Sequence, residues 1–291
     1  MATNYYCLVA SLRDYQLDGD LKGFDARDII DEIAHELSAA DRKALSAFLL
    51  YYDVCNLVNI RAGREAFSAL GNFSREELEE QLVSPVALPA ELAEVVALYG
   101  EATRGELDAD DVRLQRVNVE APFENSLFEA YYRYCSKSKC RFVREWSEAD
   151  RNLRNISVAL TARRRGLPVG DRLVGGGEIV SQLSRSSAAD FGLKGEVGYI
   201  DTLIGALSEG DNLLEKEHRI DLIRWAIAED IATFDYFNIN LLLCYVSHLC
   251  LVHRWATLDA ERGKEMFRKL VASLSAGERI AQAEKRYAEE R

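Results

Sequence analysis

The sequence is poor in proline. Four prolines stand among 291 residues, whereas average usage near 5% would give about 15 in a chain of this length. Proline is excluded from helix interiors, and leucine, alanine, glutamate and arginine, which favour helices, are abundant. The composition therefore predicts a mainly helical chain.

Long apolar runs and paired cysteines are also missing. The longest apolar run covers residues 241–246 and continues at 248–252, which is short of the ~20 residues that span a bilayer. The first residues carry no basic segment typical of a secretory signal. We therefore expect a cytoplasmic chain. None of the six cysteines has CxxC spacing, and we expect them to be reduced and mostly buried thiols.

The charge balance is acidic. The chain has 48 acidic and 36 basic residues, for a net charge of −12. An acidic chain repels nucleic acid and anionic lipid unless its basic residues cluster. A basic surface on another protein is therefore the expected kind of partner.

Apolar periodicity and capping residues divide the first part of the chain into helices. Asp25 is a predicted N-cap, and Ser38 is predicted to begin a long helix that ends at Gly71. Ser74 and Glu77 have the spacing of a capping box. Residues 5–12 fit either a short strand or a buried helix.

The rest of the chain follows the same pattern. Residues 124–166 predict two helices with a break near 136–139, and the second ends at Gly166. Gly175–Gly177 predict a turn, and residues 262–291 predict a charged terminal helix. No alternation of strands and helices is present. The predicted fold is all-α, with about a dozen helices.

A short motif occurs twice. Asn56–Ile60 reads NLVNI, and Asn152–Ile156 reads NLRNI, 96 positions later. In a helix the two asparagines of each copy share one face, where their amides can bind a neighbouring helix end or loop. The candidate binding residues are Asn56, Asn59, Asn152 and Asn155. The spacing suggests three similar units, at 1–110, 111–205 and 206–291.

Two residue sets could carry chemistry. Three carboxylates in the sequence DADD could hold Mg²⁺ or donate a proton, although a solvated loop before a helix gives the same pattern. They are Asp108, Asp110 and Asp111. A cysteine and histidine set could bind Zn²⁺, although its members fall on different faces of an apolar helix. They are Cys244, His248, Cys250 and His253. In both cases we favour the structural interpretation, and we predict no catalytic residue, metal or cofactor.

Residues 123–180 resemble a known family, the central-stalk subunit of vacuolar- and archaeal-type rotary ATPases. The family's motif is an aromatic helix, then a helix with an acidic residue, Leu-x-Asn-Ile, basic residues and a glycine. The matching residues are Asp150, Leu153, Asn155, Ile156, Arg163, Arg164 and Gly166, followed by GGGEIV. Asn56 and Asn152 depart from the family, which usually has aspartate at both positions.

The resemblance implies a non-catalytic rotor subunit. Such a subunit is an all-α funnel of three similar helical units around a pseudo-threefold axis. It sits on the membrane proteolipid ring, receives the foot of the rotor shaft, and serves proton or sodium transport and ATP synthesis or hydrolysis. Asp150, Arg163 and Arg164 then become structural or partner-contacting residues. Two alternatives stay open: a helical adaptor unrelated to ATPases, and a helical metallo- or prenyl-type enzyme.

Overall fold

A computed structural model describes residues 4–17, 19, 24–108, 110–210 and 212–258. This part of the chain is all-helical and contains no strand, which confirms the predicted fold class. The α-helices are α1 (Tyr6–Ser11), α2 (Ala26–Glu36), α3 (Ala39–Arg61), α4 (Arg75–Val83), α5 (Ala90–Arg104), α6 (Phe123–Ser136), α7 (Arg141–Arg164), α8 (Glu178–Arg185), α9 (Ile200–Ser208), α10 (Leu213–Ala232) and α11 (Ile239–Thr257). Two short 3₁₀ helices cover Val112–Gln115 and Gly170–Arg172. The helix predicted for 262–291 lies outside the described residues.

Side-chain caps begin several helices at the predicted residues. The Asp25 carboxylate accepts from the backbone N–H groups of Arg27 and Asp28 at the start of α2. At α4, the Ser74 hydroxyl accepts from the Glu77 N–H, and the Glu77 carboxylate accepts from the Ser74 N–H. Both caps bind N–H groups that have no partner within the helix.

The prediction that the long helix from Ser38 ends at Gly71 is wrong. Helix α3 ends at Arg61, and Gly63 follows with φ +66°. A left-handed residue cannot continue an α-helix, and glycine adopts that conformation without strain. Residues 62–74 are instead a loop that folds back along α3. By contrast, α7 ends just before Gly166 as predicted, and Gly166 also has a positive φ.

The buried apolar side chains form two clusters that share α7. The larger cluster joins α2 to α7 with α10 and α11, and the smaller joins α7 to α10. Phe142 and Val143 of α7 belong to the first, and Leu153, Ile156 and Ala159 to the second. Because α7 contributes to both, it fixes the position of α10 and α11 relative to the first six helices.

The apolar helices are all too short or too charged to cross a bilayer. Across the described residues, no helix combines the length and hydropathy of a membrane span. Helix α11 is the most apolar long helix, and most of its apolar side chains are buried against α3, α7 and α10.

Candidate partner-binding cavity

Two asparagines make the same contact in two parts of the fold. The Asn56 side chain on α3 donates to the Ser68 carbonyl and accepts from the Ser68 N–H, both at 2.8 Å. The Asn155 side chain on α7 donates to the Val174 carbonyl and accepts from the Val174 N–H, both at 2.9 Å. Each amide therefore holds the loop that follows its own helix against that helix.

The structural correspondence differs from the sequence alignment of the two motifs. Asn56 is the first residue of its motif and Asn155 the fourth, so the equivalent residues are 99 positions apart. With that offset Asn152 corresponds to Asp53, whose carboxylate accepts from the backbone N–H groups of Asn72 and Phe73. The same helix-to-loop contact therefore occurs twice, with a register shifted by three residues from that of the two motifs.

The remaining two motif asparagines differ from this pair. Asn59 is half-buried and accepts one long hydrogen bond, of 3.4 Å, from Arg64. Asn152 is buried, and its Oδ1 has no hydrogen-bond partner among the described residues. Neither binds a loop as Asn56 and Asn155 do.

Asp150 is one member of a network of buried charges. Its carboxylate accepts from the Tyr132 hydroxyl at 2.8 Å, and Oδ1 lies 3.6 Å from Nε of Arg224. Arg224 also binds Asp221, which is fully buried, at 2.8 Å. This links α7 to α10.

Asp221 is the centre of the network. Besides Arg224, it accepts from Arg254 at 2.9 and 3.0 Å and from the Trp255 indole N–H at 2.9 Å. Arg254 also binds Glu217. A buried carboxylate is stable only when such donors satisfy it. The network therefore fixes the spacing of α10 and α11.

These charges line a cavity of about 650 Å³ at the junction of α3, α7, α10 and α11. Aromatic side chains form its apolar walls: Phe48, Tyr51 and Tyr52 from α3, and Trp146 from α7. Glu217, Arg254 and Thr257 lie on its rim, together with the exposed Ala69 of the loop that Asn56 holds. The cavity combines a large aromatic surface with fixed charges, which is the composition of a protein-binding hot spot.

Several groups at the cavity have shifted pKa values. Burial opposes the charged form of Arg224, but the carboxylates of Asp150 and Asp221 outweigh it and raise the pKa of the guanidinium. The neighbouring Cys55 thiol and then burial raise the pKa of Tyr51, and burial followed by the charge of Asp150 raises the pKa of Tyr132. Burial lowers the pKa of His253. Arg224 thus stays cationic, and Tyr51 and Tyr132 stay neutral, near neutral pH.

The two basic candidates lie outside this cavity. Arg163 donates to the carbonyls of Ser186 and Ala188, and its guanidinium lies 3.8 Å from the centre of the Phe191 ring. Arg164 is exposed at the end of α7. Arg163 therefore fixes the segment between α8 and α9.

Asp108, Asp110 and Asp111 of the acidic sequence lie outside the α-helices. Asp111 caps the first 3₁₀ helix and pairs with Arg113, whose hydrogen bonds lower the pKa of the carboxyl. Asp108 accepts from the backbone N–H of Asp110. The carboxylates of Asp108 and Asp111 thus bind local donors.

The four cysteine and histidine candidates all lie on α11, but in two different surroundings. The Cys244 sulfur lies 3.9 Å from Nε2 of His248, whose ring stacks on Trp225 at 3.6 Å. Cys250 and His253 face the cavity instead. In the described parts of the chain, no three His, Cys, Asp or Glu side chains are placed to share a metal ion.

Sequence reasoning missed Asp221, Arg224 and Arg254. Asp221 and Arg224 are spaced i, i+3 on an amphipathic helix, which is also the pattern of an exposed ion pair. The only signal was their position beside buried Ile220 and Ile223. That position does not distinguish a residue that lines a cavity from one at the edge of a solvent-exposed helix face.

Comparison with known proteins gives one match. A family model described as "Protein of unknown function (DUF2764)" matches residues 1–278. No curated protein and no solved structure matches the chain.

Proposed function

The chain belongs to the DUF2764 family, and from this premise we propose that it is a non-catalytic central-stalk subunit of a vacuolar- or archaeal-type rotary ATPase. It couples the rotor shaft to the membrane proteolipid ring. It is held at the inner membrane on its cytoplasmic side by these protein partners, and none of the helices described is a membrane span. The resemblance of residues 123–180 to that family of subunits suggests the function.

The observation that carries the proposal is the position of the cavity. Helices from all three of the units predicted from the sequence line it: α3 from residues 1–110, α7 from 111–205, and α10 and α11 from 206–291. A socket at the junction of three units is suited to the end of a shaft. Its aromatic walls and its charged rim would bind an amphipathic helix end of the rotor.

The buried contacts support a role in transmitting torque. The bonds of Asp221 to Arg254 and Trp255 join α10 to α11, and the pairing of Arg224 with Asp150 joins α10 to α7. Loops at Asn56 and Asn155 are held by pairs of hydrogen bonds. Satisfied polar networks of this kind fix the register of neighbouring helices. A coupling subunit needs this rigidity, because any slip between its helices would lose rotation.

The test is affinity purification of the tagged full-length chain from its native cells, with gentle detergent extraction and mass spectrometry. The proposal expects the catalytic A and B subunits, the rotor-shaft subunits and the proteolipid to be recovered together. Recovery of soluble partners alone would favour the unrelated helical adaptor and overturn the proposal. An untagged strain processed in parallel is the control for abundant ATPase carried through extraction.

The enzyme alternative has a separate test. Purified protein is analysed for bound divalent metal, and Asp110→Ala is compared with the wild type in the affinity purification. The stalk proposal expects no change in the recovered ATPase subunits. The local pairing of Asp111 with Arg113 is the observation that places the enzyme alternative below the stalk proposal.

A further inference from the structure

A second concave surface lies on the other side of α10 from the cavity. Helix α10 turns Asp221 and Arg224 toward the cavity, and Leu222 and Ala226 toward a groove of about 750 Å³. Helix α9 and the segment before it form the opposite wall, and Glu145 and Ala149 of α7 close one side. This surface, the α9–α10 groove, is separate from the cavity to which the proposed function assigns the shaft.

The groove has an apolar base and small residues along its edge. Ile223 and Ala206 are buried at the base, while Leu222 is 47% exposed. Thr202 and Gly205 on the opposite wall are small residues that leave the groove open. Small residues allow the backbone of another helix to approach closely, and a half-exposed leucine gives it an apolar anchor.

The charges of the groove are unbalanced. Arg219 lies at one end and is paired with Glu209 and Glu215. Asp230 lies toward the other end, whereas Glu145 on the side of the groove is paired with Arg141. Asp230 is exposed and forms no ion pair within the described part of the chain, so that end presents uncompensated negative charge.

We propose that the α9–α10 groove binds an amphipathic helix of a partner protein, with lysine or arginine beside Asp230. From Arg219 to Ile231 the wall formed by α10 is about 18 Å long at 1.5 Å per residue, which matches about three helical turns. The apolar base accepts the side chains at i, i+3/i+4 and i+7 of such a helix. The acidic end complements a basic residue on it.

The shape and charge favour this occupant over other ligands. Helices α9 and α10 form two walls of the groove, and a third helix packs between two helices better than an extended peptide does. The excess of carboxylates disfavours nucleic acid and anionic lipid. The proposal goes beyond the stalk function, since it concerns a different surface and holds for any partner with this chemistry.

Site-specific photo-crosslinking in native cells tests the proposal. A photoreactive phenylalanine analogue replaces Thr202 in the full-length chain, and mass spectrometry identifies the crosslinked peptide. We expect one partner peptide whose apolar residues recur at helical spacing and which carries lysine or arginine at one end. The same analogue at Val86, which is 85% exposed on a distant loop, is the control and should not capture that peptide.

Two further variants establish that the groove is responsible. Ala226→Trp fills the groove at an exposed position and should lower the crosslink yield by about tenfold. Asp230→Lys leaves the groove open but reverses its charge, and should lower the yield by about threefold. Val86→Trp is the matched control for an added surface tryptophan. Circular dichroism and thermal unfolding show that the variants stay folded.

Four outcomes would overturn the proposal. They are the absence of a crosslink, a crosslink to an acidic or non-amphipathic peptide, a crosslink to residues 259–291 of the chain itself, and a crosslink to a second copy. A basic amphipathic peptide from a protein outside the ATPase would support the groove while counting against the stalk function. The two proposals therefore fail independently.

Discussion

At the residue scale, Asn155 has the most specific role that the sequence singled out. In Asn155→Leu, the buried N–H and carbonyl of Val174 lose their only side-chain partner. Leaving such groups unsatisfied costs about 1–3 kcal/mol each, so we expect a loss of about 2–4 kcal/mol in the free energy of unfolding. Urea unfolding measures it.

The control for this prediction is Asn59→Leu. Asn59 is half-buried and has only a long contact with Arg64, so its replacement should change stability by about 0.5 kcal/mol or less. Equal losses in the two variants would show that the amide contact with Val174 has no special value. In the proposed complex, Asn155→Leu should also weaken assembly.

Asp53 gives a prediction of pH dependence. Burial raises its pKa from 3.8 to about 6, although the N–H groups of Asn72 and Phe73 oppose the shift. A carboxyl group with a raised pKa binds its proton more tightly in the folded state. Protonated Asp53 therefore stabilises the fold below pH 4. This stabilisation is lost as the pH rises to about 6, and the free energy of unfolding falls by about 3 kcal/mol in total.

Comparison with Asp53→Asn isolates this contribution, because asparagine does not titrate. Urea unfolding of both proteins between pH 4 and pH 7 should show the wild type losing stability relative to the variant as pH rises. Two parallel curves would show that the hydrogen bonds from Asn72 and Phe73 fully offset the burial of the carboxylate.

Phe234 is a strained residue between α10 and α11. Its φ is +72°, and its side chain is 84% exposed. The left-handed conformation costs a non-glycine residue about 1–2 kcal/mol. An exposed ring buries little apolar surface that could offset this cost. Phe234→Gly should therefore keep or raise stability, by up to about 1 kcal/mol in thermal unfolding. A loss of more than about 1 kcal/mol would mean that the ring stabilises the loop.

At the scale of elements, the ion pairs of Asp221 decide how α10 and α11 pack. Asp221→Leu leaves Arg224 and Arg254 without their buried partner. Removing one member of such a network costs about 3–5 kcal/mol. Adding Arg254→Met to Asp221→Leu should restore part of that loss, because one of the two cations that faced the removed carboxylate is then gone. Additive losses in the double variant would indicate that the two residues do not interact.

The elements differ in how far the sequence could predict them. Helices α2 and α4 were placed by their capping residues, because those interactions are local. The end of α3 was missed, since apolar residues such as Phe67 and Leu70 continue past Gly63 with helical spacing. In the structure these residues belong to a loop held by Asn56, and that contact is 12 residues away. The asparagine motif is visible in the sequence. Which asparagines of the two copies correspond depends on the backbone groups that each amide binds in the fold.

At the scale of the whole molecule, the cavity depends on contacts between distant parts of the chain. Asp150 and Arg224 are 74 residues apart, and neither position predicts the other from local pattern. The all-α class follows from composition and periodicity, whereas the junction of α3, α7, α10 and α11 follows only from packing. The pseudo-threefold funnel and the unit boundaries at 110 and 205 stay predictions.

The position of the cavity rim gives a test of the proposed shaft socket. Ala69 is exposed on the rim, so Ala69→Trp narrows the entrance without disturbing the buried network. We expect this variant to lose the rotor-shaft subunits in affinity purification while it keeps the fold and its other contacts. Val86→Trp adds the same ring at an exposed site away from the cavity and should recover every subunit. If both variants recovered the shaft equally, the shaft would have to bind another surface, because a tryptophan at Ala69 occupies the route into the cavity.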